Sequence, residues 1–94
     1  MRREKVISII VKDLKKQGAK KIALFGSFAR NQDQLHSDID LLVTFKKKKS
    51  LLDIVRIERE LSEKTGKKID LLTEKSISPL ILEHIQQEIE VVYG

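Results

Sequence analysis

Cysteine is absent from this 94-residue chain, so no disulfide framework can hold it, which fits a reducing compartment. Tryptophan is absent too, and aromatic residues make up only 4% of the sequence. A stacking platform for single strands needs several aromatics on one face, so direct nucleic-acid binding is not expected. Long apolar runs are also missing. The N-terminal stretch MRREKVISIIVKDLKKQG is interrupted by Lys12, Asp13, Lys15 and Lys16, a pattern that suits neither a signal peptide nor a membrane span. The expectation is a cytoplasmic protein with no membrane association. The chain contains neither the G-x-x-x-x-G-K-[ST] phosphate loop nor the G-x-G-x-x-G dinucleotide fingerprint. With no repeat and no low-complexity linker, residues 1–94 read as one domain.

What is present is charge. Lys and Arg number 19 against 14 Asp and Glu, a net +5. That balance suits an anionic partner, and equally a small protein kept in solution by scattered lysines. The run Lys46–Lys49 leaves the same two readings open, a solvated loop tip or a device that draws in a polyanion.

The periodicities alternate between helix and strand. Ile7, Ile10, Val11 and Leu14 lie on one helical face within residues 2–17, and Gly18 follows as a left-handed cap. Residues 20–25, KKIALF, read as a strand ended by Gly26 and Ser27. The segment SFARN offers one or two helical turns, with Ser27 as N-cap. A second strand spans Asp38–Phe45. Ser50 and Asp53 then open a helix with Leu51, Ile54, Ile57 and Leu61 as its apolar face, Glu60 and Lys64 as an exposed pair, and Gly66 as its stop. A third strand spans Lys67–Thr73. Ser78 and Pro79 begin a helix whose buried stripe is Ile81, Leu82 and Ile85, and a fourth strand spans Ile89–Tyr93.

The chemistry concentrates between Phe25 and Phe45. A strand that feeds a helix N-terminus through Gly26-Ser27 presents backbone N–H groups around an open spot, a ready anion site. Arg30 can fork onto a phosphate or pair with a nearby acid. Asp38 and Asp40, two apart on a strand, project to one face about 6.5–7 Å apart along the chain, while Ile39, Leu41 and Val43 take the other. Neighbouring carboxylates repel, and a divalent cation relieves that; Mg2+ favours one or two carboxylates together with phosphate oxygens and water. The alternative is a solvated strand face. Asp70, in KIDLLT, is either a third carboxylate of the same group or an edge-strand residue in water. His36 and His84 read as bystanders.

Taken together, GSFAR, then SDIDLLV after a short loop, then a later strand carrying Asp70 resemble the minimal nucleotidyltransferases of the DNA polymerase beta superfamily. The resemblance covers nearly the whole chain. It implies an α+β nucleotidyltransferase fold, with a small mixed β-sheet of about four strands flanked by helices. It further implies that Gly26, Ser27 and Arg30 contact the nucleotide, and that Asp38, Asp40 and Asp70 are the catalytic carboxylates and hold two Mg2+ ions with ATP as substrate. Asn31 stands where the family usually has glycine; Asn also tolerates the left-handed conformation. Stand-alone members resemble antitoxins that transfer AMP to a tyrosine hydroxyl of a HEPN ribonuclease toxin, which would be the partner, alone or in an oligomer. Two other activities fit the resemblance: neutralising the toxin by binding alone, or modifying a small molecule.

Overall fold

A computed structural model of the chain describes residues 3–26, 38–74, 77–86 and 89–94. Its elements are α1 (Arg3–Lys16), β1 (Ala19–Phe25), β2 (Ile39–Phe45), α2 (Leu51–Thr65), β3 (Ile69–Thr73), α3 (Pro79–Gln86) and β4 (Glu90–Tyr93). The one or two helical turns expected from SFARN fall outside the described residues.

The four strands form one mixed sheet in the order β3-β2-β1-β4. β1 is antiparallel to both of its neighbours, and β2 is parallel to β3. A parallel pair cannot be joined by a tight hairpin, and α2 makes the crossover. The expected α+β architecture is therefore the one observed. α1 and α2 lie on one face of the sheet and on each other.

Between them sits the core, built from alternate strand residues and helical stripes. Ile22 and Leu24 of β1, Ile39, Leu41 and Val43 of β2, and Ile69 and Leu71 of β3 meet Val6, Ile10 and Leu14 of α1 and Ile57 and Leu61 of α2. The stripe on α1 is centred one position away from the expected one, with Val6 buried and Ile7 and Val11 only half-buried. Asp13 is buried on α1 and receives Lys64 Nζ of α2 at 2.7 Å. Lys64 thus ties the two helices together, where the sequence suggested an exposed pair with Glu60.

α2 begins and ends as its sequence dictates. Ser50 and Asp53 form a reciprocal capping box, Ser50 Oγ accepting from the Asp53 N–H at 3.1 Å and Asp53 Oδ2 from the Ser50 N–H at 3.3 Å. Gly66 closes the helix at φ 70°, a conformation that costs other residues a Cβ clash.

Two expected stripes are buried only in part. Leu51 is 79% exposed at the start of α2. The helix is about 22 Å long and β3 about 17 Å, by 1.5 Å and 3.3 Å per residue. Its first turn therefore overhangs the sheet. On α3, Ile81 is 53% exposed and Leu82 and Ile85 are half-buried, because α3 makes no extensive contact with the sheet or the other described helices.

Candidate active site

The carboxylates come together because side chains alternate along two strands that run in parallel register. Asp40 of β2 pairs with Asp70 of β3. Their sequence neighbours Ile39, Leu41, Ile69 and Leu71 are buried under the helices, so both aspartates project from the opposite face. Adjacent strands lie about 4.8 Å apart, which brings the Asp70 carboxyl near enough to share a proton with that of Asp40. Asp38 lies just before β2, one residue outside the strand expected to contain it. It is still close enough for its charge to act on Asp40. Lys68 Nζ approaches Asp38 Oδ2 to 3.9 Å, with both side chains well exposed, too loose a pairing to neutralise the group.

Asp40 bears the cost of this crowding. Burial raises its carboxyl above the ordinary carboxylate range, and the charges of Asp70 and Asp38, then the hydrogen bond with Asp70, push the same way. Asp40 therefore holds its proton more tightly than an isolated carboxyl, and a cation placed among the three groups would displace it. Among the described residues, no three acidic or histidine side chains already stand as a finished metal cage.

β1 supplies the remaining wall. Phe25 pairs with Asp40 across the antiparallel ladder, and Gly26 follows at φ 75°. A Cβ on Gly26 would overlap Asp40 Oδ2. Glycine is required here twice, for the left-handed backbone and for the space the carboxylate occupies. The sequence suggested only the anion-binding role, because the closeness of Gly26 to Asp40 depends on strand register. Ser27, Arg30 and His36 lie outside the described residues; His84 is exposed on α3.

Two side chains near the site gave no sequence signal. Two β3 N–H groups that face away from β2 are bonded by α2. The Leu71 N–H donates to Glu58 Oε2 at 2.7 Å, and the Ile69 N–H donates to Ser62 Oγ at 3.1 Å. A glutamate and a serine on a polar helix flank look like surface until the strand beside them is known.

This chain can be set beside known proteins. The family described as Polymerase beta, Nucleotidyltransferase matches residues 4–94. A Methanocaldococcus jannaschii relative named as a candidate protein adenylyltransferase is 46% identical over 86 residues, which covers 92% of this chain and 88% of the relative. Protein adenylyltransferase MntA of Thermococcus cleftensis is 30% identical over 90 residues, covering 95% and 91%. Among solved structures, a toxin-antitoxin with AMP-PNP superposes with a TM-score of 0.86 at 21% identity, covering 94% of this chain and 73% of that one. A tri-AMPylated Shewanella oneidensis HEPN toxin in complex with MNT antitoxin gives 0.83 at 19% identity, covering 99% and 73%. At those identities the two structures speak for the fold, while the family match and the relatives speak for descent: the chain belongs to the polymerase beta nucleotidyltransferase family.

Proposed function

We propose that this chain transfers AMP from ATP to a tyrosine hydroxyl of a HEPN ribonuclease toxin, in the cytoplasm, and so acts as that toxin's antitoxin. The observation that carries the reading is the register of Asp40 with Asp70, with Asp38 beside them and the Asp40 carboxyl raised by burial and by its two neighbours. The relative named as a protein adenylyltransferase and the structure of an AMPylated toxin with its antitoxin support the choice of reaction and acceptor.

An all-oxygen, charge-crowded donor set fits Mg2+. Asp38, Asp40 and Asp70 would hold two such ions, which when bound stabilise negative charge on the phosphates. The chain's own residues do the remainder. Gly26 and Ser27 hold the triphosphate with backbone N–H groups, and Arg30 grips a phosphate. Asp70 orients the acceptor hydroxyl and takes its proton. The tyrosine oxygen forms a bond to the α-phosphorus, the bond to the bridging oxygen breaks, and pyrophosphate leaves with the electron pair.

The test is the intact mass of the adjacent gene's product after incubation with this chain and Mg-ATP. A gain of whole AMP units on tyrosine is expected, and its loss when Asp38→Asn and Asp40→Asn are combined. Labelling that survives the double substitution contradicts the mechanism. Neutralisation in cells by the double variant, without labelling, would instead favour an antitoxin that works by contact alone.

A further inference from the structure

We infer that Glu58 and Ser62 of α2 are positioning residues for Asp70, acting through the backbone of β3; this rests on the role proposed above for Asp70. β3 is an edge strand, so one row of its N–H groups has no partner strand. On the inner side, Lys68 turns its carbonyl toward β2 and accepts from the Ile39 N–H at 2.9 Å. On the outer side, the residues flanking Asp70 donate to side chains of α2, Leu71 to Glu58 at 2.7 Å and Ile69 to Ser62 at 3.1 Å.

The match follows from two periodicities. Four residues of helix rise about 6 Å and two residues of strand about 6.6 Å, so Glu58 and Ser62 at i, i+4 meet Leu71 and Ile69 at i, i+2 on a strand running the opposite way. Ser62 is held in turn, its hydroxyl donating to the Glu58 carbonyl at 2.9 Å. The linker is fixed as well. Thr65 Oγ1 donates to the Leu61 carbonyl at 2.8 Å and accepts from the Lys67 N–H at 3.3 Å. The backbone is therefore gripped on both sides of Asp70, one residue away in each direction. Edge protection alone would be served by any exposed charge or by a shorter strand. What this clamp adds is a fixed height for Asp70 relative to Asp40.

The test compares Glu58→Ala, Glu58→Gln and Ser62→Ala with Ser50→Ala, which removes the cap at the far end of the same helix and serves as a control for helix destabilisation. Each is measured for melting temperature, for Mn2+ affinity by calorimetry on the nucleotide-free protein, and for kcat and KM of AMP transfer. Outer-shell partners of metal ligands are generally worth about tenfold or more in metal affinity or activity. Glu58→Ala is expected to weaken Mn2+ binding and lower kcat about tenfold, with Ser62→Ala moving the same way by less. Glu58→Gln, whose amide oxygen still accepts from Leu71, should return both to within about twofold of the parent. Ser50→Ala should lower the melting temperature and leave both unchanged. If Glu58→Ala and Ser50→Ala differ only in melting temperature, the clamp is edge sealing and the inference is overturned. If the parent protein neither binds Mn2+ nor transfers AMP, the reading of the carboxylates fails first and takes the clamp with it.

Discussion

The two faces of β2 and β3 belong to the same residues taken alternately, yet they carry different burdens. On the helix face, Ile39, Leu41, Val43, Ile69 and Leu71 are buried and packed into one apolar cluster. On the other face, Asp40 and Asp70 stand half-exposed and in register, with Asp40 held above the ordinary carboxylate range. One set of residues gains free energy by leaving water, and the other loses it by being partly desolvated and crowded together. The strand's two-residue period lets a small domain keep both within a single stretch of chain. Substitutions one residue apart should therefore have opposite consequences.

The largest combined loss, of rate and stability together, is expected at the seam between the faces. Gly26→Ala places a Cβ on Asp40 Oδ2 and a side chain at positive φ. A misplacement of about 1 Å at a reacting group can cost roughly a hundredfold, so the rate of AMP transfer should fall at least about a hundredfold. The left-handed backbone should also cost about 1–3 kcal/mol of stability. Both are read from single-turnover kinetics and urea unfolding of the same sample. Parent-like transfer would mean that Asp40 does not need the position it occupies.

On the helix face, Leu41→Ala should do the reverse. Removing a fully buried leucine costs about 2–5 kcal/mol, a large part of the roughly 5–15 kcal/mol a domain has. Transfer per folded molecule should change little. Urea midpoints combined with active-site titration measure the two quantities separately. A loss of less than about 1 kcal/mol would mean that the core closes around the gap more easily than its packing implies.

Much of this division was legible in the sequence. Apolar alternation located the strands and set Asp38 with Asp40, the family resemblance added Asp70 to them, and the cap residues Ser50 and Gly66 fixed the ends of α2. What escaped depended on where an element stops relative to its neighbour. Leu51 has the angular position of a core residue but extends beyond β3, whose Thr73 would meet α2 near Ile54 at the spacing set by Glu58 and Leu71. Periodicity gives the face of a helix and says nothing of the length of the surface beneath it. In the same way Lys64 had Glu60 at the right spacing on its own helix, and its nearest carboxylate proved to be Asp13, 51 residues away in sequence. The crowding of Gly26 against Asp40 requires the register of β1 with β2, which no local pattern encodes.

The smallest effect on stability is the most direct test of the comparison, because it separates the faces within one residue. Asp40 has a folded-state pKa raised above the ordinary 3.8. By linkage, its contribution to stability is present in full below that value and is lost as pH rises through the raised one. In metal-free protein at neutral pH, its charge therefore opposes folding. The measurement is Asp40→Asn, followed by thermal melting without metal at pH 4 and pH 7 and by AMP transfer with Mg-ATP. The account predicts a melting temperature above the parent's at pH 7, with the gap narrowing at pH 4, and transfer abolished. A variant that melts lower than the parent at pH 7, or that still transfers AMP, would contradict the claim that this face is spent on chemistry at the expense of stability.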